Sequence, residues 1–331
     1  MCRLISQLLL VAILSAFLAH RSIGGPLSRK SVRLNPPTIQ EKNYSSAQDL
    51  LHVQAKPKLA ALKSNSILKT MAGLDSASSD VLYFATHHTY SGGRHDTYYG
   101  LLTTMDVYGL ELKRGQWSST SVWVTNNGDG VKANHNAIIA GWHIYPEFYG
   151  DSRTHFYTYY TKDGYQSGCL NVDCPGFVIA DGATIAPGAV IDPVSDAKNG
   201  HLQNVTLKIF KDKTSGDWWI YYGFNSIPTG VGYYPKSLFT SMVENSSEIK
   251  FGGFAASARV LPSPPLGTGA APNGGQSRRA VSFTDLCLID QDGKKNPIVD
   301  DLPTIVSNSQ CYSITPIARA QCFYGGPGAC M

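Results

Sequence analysis

The chain has 331 residues, of which only 16 % are charged and 11 % are aromatic, with 32 glycines and a net charge of +4. This composition excludes an intrinsically disordered chain and is typical of a turn-rich β protein. The charge is small and the basic residues do not alternate with aromatics along one stripe, so no nucleic-acid partner is predicted.

The first 24 residues are typical of a secretory signal peptide. Arg3 precedes a nearly continuous apolar run from Leu4 to Leu18, and small residues stand at 22 and 24 before a cut at Gly25. About 15 apolar residues suit a signal peptide better than a membrane span. An uncleaved anchor is the alternative, and Ala19 offers another cleavage site. No later run is long enough to cross a bilayer, so we expect a secreted protein with no membrane contact after cleavage.

The cysteines and the glycan acceptors agree with export; the family resemblance given below narrows the expected location to the apoplast or cell wall. Six cysteines remain after the signal is removed, and an even number in an oxidising compartment predicts disulfides. They are Cys169, Cys174, Cys287, Cys311, Cys322 and Cys330. Three Asn-x-Ser/Thr triplets, at Asn43, Asn204 and Asn245, are predicted N-glycosylation sites.

Residues 25–79 differ from the remainder of the chain. They are basic, contain a single aromatic residue, Tyr44, and show only two short amphipathic patterns, around 46–53 and 58–71. So few apolar side chains cannot support an independent core. We therefore predict a loosely ordered, pro-segment-like extension, and the sequence leaves open whether it is removed.

From residue 80 onward the pattern is that of short strands. β-Branched and aromatic runs are separated by glycine- and asparagine-rich turns, with one predicted short helix at Lys236–Val243 and a Pro/Gly/Ser-rich loop at 260–279. Leu207 and Ile209 alternate with polar neighbours, as a half-buried strand requires. Strands at this spacing without interleaved helices predict an all-β antiparallel sandwich or barrel.

Several motifs resemble, in order, the neprosin domain of plant proteins, over roughly residues 80–331. They are Ala140-Gly-Trp142 with Tyr145-Pro146, Asp163-Gly-Tyr165, Gly168-Cys169 to Phe177, Trp218-Trp219, Val231 to Pro235, Phe251-Gly-Gly253 and Tyr324 to Gly328. The resemblance implies a β-sandwich of two large antiparallel sheets with a disulfide-bonded C-terminal segment. It also implies a secreted or wall-associated plant protein. Active members cleave peptides after proline under acid conditions, using two glutamates.

The two positions that carry glutamate in the family are apolar here. One is Ile139, directly before Ala-Gly-Trp, and the other is Phe254, directly after Gly-Gly. The family's glutamine near the first position is Ser121 here, and its Met-Gly-Ser-Gly-His loop reads Leu266-Gly-Thr-Gly-Ala270. Acid catalysis of this type needs one ionised and one protonated carboxyl group, so the chain is predicted to have no catalytic residues and to be catalytically silent.

Other glutamates are too distant along their strands to replace them. Glu147 is eight residues from Ile139, or roughly 26 Å, and Glu248 is six residues from Phe254, or roughly 20 Å, at about 3.3 Å per residue. Aspartates from other strands remain open, so an active prolyl endopeptidase using acids outside the motif is the alternative. A cell-wall glycan-binding module is a third reading.

A silent member would still offer an aromatic cleft to an extended or proline-rich peptide or cell-wall protein, because proline rings stack on aromatic side chains. The predicted cleft residues are Trp123, Trp142, His143, Tyr145, Tyr233 and Tyr234. Each aromatic could instead belong to the core. The histidines show no metal-binding spacing, and His87 and His88 would point to opposite faces of a strand, so no metal or cofactor is predicted. The oligomeric state is left open.

The resemblance also implies disulfide pairings. Cys169 and Cys174 flank a four-residue loop that the family shares, and Cys311 with Cys330 resembles the family's C-terminal bridge. Cys287 and Cys322 are then left as the remaining pair.

Overall fold

A computed structural model describes residues 80–89, 96–196, 199–272 and 280–329. The predicted signal peptide, the extension at 25–79, Asn43 and Cys330 lie outside these residues. Numbered in chain order, the strands are β1 Asp80–His88, β2 Gly100–Asp106, β3 Gln116–Asn126, β4 Asn136–Ile144, β5 His155–Thr161, β6 Gly168–Leu170, β7 Val178–Ile179, β8 Asn204–Lys211, β9 Trp218–Phe224, β10 Thr229–Tyr234, β11 Glu248–Ala258, β12 Val281–Ile289, β13 Lys295–Pro297, β14 Thr304–Val306, β15 Ser313–Ile314 and β16 Cys322–Gly325.

The strands form two antiparallel sheets. The first sheet has seven strands in the order β14-β1-β11-β3-β4-β5-β6. The second has nine, in the order β15-β16-β12-β2-β8-β9-β10-β7, with β13 paired to β12. The predicted all-β, two-sheet architecture is confirmed.

The main core lies between the sheets and is built by alternate positions of the facing strands. Ile138 and Trp142 of β4 enter it from the first sheet, and Ile209 and Trp218 enter it from the second. In β8 the buried side chains are every second one, Val205, Leu207 and Ile209, so the predicted half-buried strand is confirmed. Trp142 Nε1 donates to the Asp106 carbonyl at 2.9 Å, so burying the indole leaves no unpaired donor.

The central strands β3 and β4 are buried along nearly their whole length. An ordinary two-layer sandwich would leave one face of each strand exposed. Here the face of the first sheet turned away from the second sheet carries an apolar cluster of its own. This outer face of the first sheet is where Ile139 and Phe254 lie.

Helical structure among the described residues is limited to short turns. A four-residue helix, α1 (Pro146–Tyr149), begins with proline, and Gly150 follows it in the left-handed conformation. Proline fits the first helical position and glycine the residue after the last, so the sequence Pro-x-x-x-Gly explains this turn. No helix in this part of the chain could span a membrane.

The predicted helix at Lys236–Val243 is wrong. Only a 3₁₀ turn, Lys236–Leu238, forms there, and Phe239 is already extended. The amides of Thr240, Ser241 and Met242 all donate to Oδ1 of Asn136, at 2.9, 2.6 and 3.0 Å. A buried side chain from β4 thus takes the place of the helical carbonyls that the local pattern would have used.

Candidate functional site

The strand register places Ile139 and Phe254, the two positions at which the family resemblance predicts glutamate, on one face of the first sheet. Ile139 pairs with Trp123 on β3, and Trp123 pairs with Lys250 on β11. Phe254 lies four residues beyond Lys250 on the same strand, so strand alternation gives it the same face. Ile139 and Phe254 are therefore separated by one intervening strand, β3.

Trp123 occupies the space between the two positions. Its ring stacks on Phe254, with centroids 4.7 Å apart and planes 25° apart. Ile139 is completely buried, and Trp123 and Phe254 are only 4 % and 6 % exposed. Ile139, Trp123 and Phe254 thus form one buried apolar contact surface.

Neighbouring positions on this face carry hydroxyl groups that are hydrogen-bonded to one another. Ser119 and Ser121 hydroxyls lie 2.9 Å apart, and the Ser121 hydroxyl lies 2.6 Å from the Tyr157 hydroxyl. Ser121 stands where the family has glutamine, and it pairs across β3–β4 with Gly141. These hydroxyls are buried, and none of them is acidic enough to serve as an acid or base near neutral pH.

His143 is enclosed by aromatic rings. Trp117 Nε1 donates to its Nδ1 at 3.1 Å, so the proton of the neutral ring is on Nε2, which donates to the Tyr149 hydroxyl at 2.8 Å. The imidazole stacks on Tyr157 at 3.9 Å with nearly parallel planes. Burial, and secondarily His155, hold the pKa of His143 well below its usual value. His143 is therefore a neutral, hydrogen-bonded part of the packing.

Two donors on this face have no hydrogen-bond partner among the described residues. They are Trp123 Nε1 and the Tyr145 hydroxyl, both buried. Burial, followed by the charges of Asp80 and Glu147, raises the pKa of Tyr145, so its hydroxyl keeps its proton. Buried polar groups without a partner are rare in native proteins, and each needs an explanation such as water or a bound ligand.

Of the six predicted cleft residues, the structure brings three together. Trp123 and Tyr145 belong to the outer cluster with Ile139 and Phe254, and His143 packs against the same rings. Trp142 and Tyr234 lie instead in the core between the sheets, and Tyr233 lies on the exposed face of the second sheet. Trp142 is three residues from Ile139, an odd number that sends the two side chains to opposite faces, so the sequence already contained this signal.

The face also contains residues that the sequence analysis missed. Trp117, Tyr157, Tyr159 and Tyr165 all belong to the outer cluster or its polar contacts. Trp117 is six residues before Trp123 and therefore on the same face of β3, which the alternation could have shown. The contribution of Tyr165 could not be read from the pattern because it follows β5 in a turn and has a positive φ of 68°.

The acid Glu248 lies on the same face of β11, two residues before Lys250, which pairs with Trp123. Glu248 is held by Lys250 at 3.1 Å and lies 3.7 Å from His88 Nδ1, at the row of Thr125. The described residues contain no group of three or more His, Cys, Asp or Glu that could hold a metal ion. His87 is buried, and its two nitrogens contact the carbonyls of Leu302 and Thr315.

One disulfide matches the expectation and another does not form. Cys169 and Cys174 are bonded, and Cys311 is also in a disulfide. Cys287 and Cys322 are both buried but are not joined, so the pairing left by elimination is wrong. Cys322 lies opposite Phe283, while Cys287 is four residues further along β12 opposite Leu102. Even allowing for the bulge between them, this offset is on the order of 10 Å, and a disulfide needs Cα atoms within about 7 Å.

Two of the three glycan acceptors lie in the described residues. Asn204 is the first residue of β8, and Asn245 lies in the loop before β11. Both are partly exposed. Asn126 Nδ2 donates to the Asn245 carbonyl at 3.0 Å. Glycosylation of these residues stays a prediction.

The fold and the outer face of the first sheet define an all-β sandwich protein in which that face carries an apolar, aromatic-rich cluster. The neprosin family model matches residues 114–327, and the chain belongs to the neprosin family. A crystal structure of Scytalido-glutamic peptidase with a peptide-based transition-state analog matches with 12 % identity and a TM-score of 0.36, covering 74 % of this chain and 97 % of that one. The Ruminococcus gnavus IT-sialidase CBM40 bound to α2,3-sialyllactose matches with 11 % identity and a TM-score of 0.24, covering 50 % and 78 %. At these TM-scores the structural matches add nothing to the family assignment.

Proposed function

We propose that this chain is a catalytically silent neprosin-family protein that binds an extended, proline-containing peptide outside the cell, in the plant wall space. The observation that carries the silence is the contact surface of Ile139, Trp123 and Phe254, which is apolar and nearly completely buried. It stands where the family resemblance puts the two glutamates.

Peptide hydrolysis by an acid pair needs proton transfer at two points. One carboxylate takes a proton from the attacking water, and the second donates a proton to the carbonyl oxygen or the leaving nitrogen. Each such group typically contributes about 10²–10⁴-fold to the rate. Ile139 and Phe254 have no titratable atom, and neighbouring His143 is buried, neutral and already bonded through both nitrogens.

The unpartnered donors support peptide binding. Trp123 Nε1 and the Tyr145 hydroxyl are buried on the same face as Ile139. A backbone carbonyl of a bound peptide accepts hydrogen bonds, and proline rings stack on aromatic surfaces. Because both donors are buried, a peptide carbonyl would reach them only after neighbouring side chains move aside; a proline-containing peptide would then satisfy both donors and stack on the rings.

Export is part of the same proposal. The disulfide between Cys169 and Cys174 is of the kind that persists in oxidising compartments. The predicted signal peptide and glycan acceptors agree with it.

The decisive experiment incubates purified protein with a proline-containing fluorogenic peptide between pH 2 and pH 7. We expect no turnover above a heat-inactivated control. Turnover that heat inactivation abolishes would overturn the silence and favour a peptidase that uses acids outside the family motif.

Binding is tested separately with the same peptide carrying a fluorophore, by anisotropy. Trp123→Phe keeps an aromatic ring but removes the Nε1 donor together with the second ring of the indole, so we expect it to weaken binding several-fold. The matched control is Trp219→Phe, which makes the same chemical change on the other sheet and should leave this binding unchanged. Equal affinities for the wild type and Trp123→Phe would contradict the assigned contact.

A further inference from the structure

An aromatic row crosses the exposed face of the second sheet. Phe210 on β8, Trp219 on β9 and Tyr233 on β10 are direct cross-strand neighbours. Their neighbours in sequence, such as Ile209 and Trp218, enter the core, so the three rings face away from it and are partly exposed. At about 4.8 Å between strands, the row spans roughly 10 Å.

The rings contact one another and form a continuous surface. Trp219 and Tyr233 have centroids 4.9 Å apart, with planes tilted by 33°. Tyr221 stands edge-on to Phe210 at 5.2 Å and to Trp219 at 6.0 Å. Gly230 pairs with Tyr221 and carries no side chain that could cover it. Large aromatic surfaces left exposed together are typical of interaction sites, unlike apolar side chains scattered singly.

Polar groups stand at one end of the row. The β8–β9 turn brings Asp212, Asp217, Thr214 and Ser215 to the rim of a hollow of about 370 Å³ that the four rings also line. Oδ1 of Asp212 accepts from the amides of Thr214 and Ser215, at 3.0 and 2.8 Å. These backbone hydrogen bonds hold the pKa of Asp212 below its usual value, so the carboxylate is ionised. An ionised carboxylate accepts several hydrogen bonds and keeps acceptor capacity for a ligand.

The second carboxylate is fixed in a similar way. Oδ1 of Asp217 accepts from the amide of Lys236 at 3.0 Å. The row also carries a positive charge, because the Lys208 ammonium lies 3.7 Å from the centroid of the Phe210 ring. A cationic ligand group would meet this charge, and an anionic one would meet the two aspartates.

These features specify the chemistry of the ligand. It must offer apolar faces to a line of rings and hydrogen-bond donors to carboxylates, while carrying no charge. A sugar chain meets all three conditions, because its C–H faces stack on aromatic rings and its hydroxyls donate to carboxylates. A proline-rich segment also stacks on rings, but proline has no N–H and would leave the carboxylates without donors.

We propose that the row Phe210–Trp219–Tyr233, with Asp212 and Asp217, is a binding site for a neutral, extended oligosaccharide. This site lies on the other sheet from Ile139 and Phe254 and is independent of the proposed peptide binding. It would attach the protein to a polysaccharide while the first sheet engages a peptide.

Isothermal titration of the full chain with cellohexaose and with xylohexaose tests the proposal. We expect millimolar to micromolar binding of at least one of them, weakened at least tenfold by Trp219→Ala or Tyr233→Ala. Asp212→Asn retains the Oδ1 acceptor of the turn but replaces the charged Oδ2 acceptor by an NH₂ donor, and it should weaken binding several-fold. The matched control is Ile227→Ala, which shortens a side chain 86 % exposed outside this hollow and should bind as the wild type does.

Three outcomes would contradict the proposed oligosaccharide site. The proposal is overturned if wild-type protein binds neither sugar, if binding persists unchanged in both Trp219→Ala and Tyr233→Ala, or if a hexaproline peptide binds at the row and the sugars do not. Circular dichroism confirms that each variant is folded, and Asp212→Asn provides a test that does not alter the aromatic packing. The expected sugar binding does not depend on peptide binding at Trp123, so a failure of the peptide-binding proposal would leave these outcomes unchanged.

Discussion

Replacing Ile139 by glutamate tests whether the first sheet's outer face can still hold an ionised carboxylate. Ile139 is completely buried, and its cross-strand neighbours are Trp123 and Tyr159. Ile139→Gln is the matched control because glutamine has nearly the same shape as glutamate and does not titrate. The difference between the two variants isolates the effect of charge.

The magnitude has two parts. Both variants lose the burial of an isoleucine, about 2 kcal/mol, and bury a polar group, about 1–3 kcal/mol, at every pH. Glutamate adds a second loss. Burial raises the folded-state pKa of its carboxyl above the unfolded value of about 4.3, so stability that is present below pH 4.3 is lost as the pH rises through the folded-state pKa. A rise of about three pKa units would remove a further 4 kcal/mol or so by neutral pH.

Urea unfolding followed by tryptophan fluorescence at pH 3.5, 5, 6.5 and 8 measures these changes. The two variants should be about equally stable at pH 3.5, and the glutamate variant should become progressively weaker toward pH 8. The combined loss of about 7–9 kcal/mol is comparable to a typical stability of about 5–15 kcal/mol, so the glutamate variant should lose most of its stability by pH 8. Equal stability of the two variants at all four pH values would show that a carboxylate ionises there without penalty, and the description of this surface as apolar would be wrong.

Three further predictions concern the groups that hold this region together. Asn136→Ala should lower the free energy of unfolding by at least about 3 kcal/mol, because three backbone amides lose their acceptor and the Lys162 carbonyl loses the Nδ2 donor; Asn136→Asp loses the Nδ2 donor but keeps the acceptor for the amides, and should cost less in the same urea assay. The wild type should lose stability as the pH falls below about 6.5, because the pKa of buried His143 is lowered, and His143→Gln should show a smaller loss between pH 7 and pH 4. Replacing both Cys169 and Cys174 by serine should cost about 2 kcal/mol, the value for closing so short a loop, measured as a shift in urea midpoint.

Each of these predictions has a result that would contradict it. Equal losses for Asn136→Ala and Asn136→Asp would mean that the Nδ2 donor and the neutral charge of Asn136, more than the acceptor for the amides of 240–242, account for the effect. A pH dependence identical in the wild type and His143→Gln would assign the acid loss to other groups, such as His135, whose pKa burial lowers to about 4. A double serine variant as stable as the wild type would show that the disulfide only shapes its loop.

Local sequence pattern predicted those features that depend on neighbours along the chain. The strand around Leu207 and Ile209 follows from alternation, and the bonded pair Cys169–Cys174 follows from their short spacing together with the family resemblance. The helix prediction at Lys236–Val243 failed because its backbone amides found a partner more than a hundred residues away, in the side chain of Asn136. No local pattern contains that information.

The site residues also divide into those whose position follows from neighbours along the chain and those whose position depends on distant contacts. Strand alternation fixes which residues share a face, so the common face of Ile139, His143 and Tyr145 was present in the sequence, as was the opposite face of Trp142. Alternation does not say whether a face meets the second sheet, a cluster of its own or solvent. Tyr233 and Tyr234 show this, since one lies on an exposed surface and the other in the core.

The sequence by itself determined the all-β class, the family motifs and the apolar identity of positions 139 and 254, since these are properties of residues and their near neighbours. Only the tertiary structure decided that Trp123 fills the space between those two positions and that Phe210, Trp219 and Tyr233 form one row. The reason is that strand register pairs residues far apart in the chain, and hydrophobic burial, which is non-directional, does not encode that register locally.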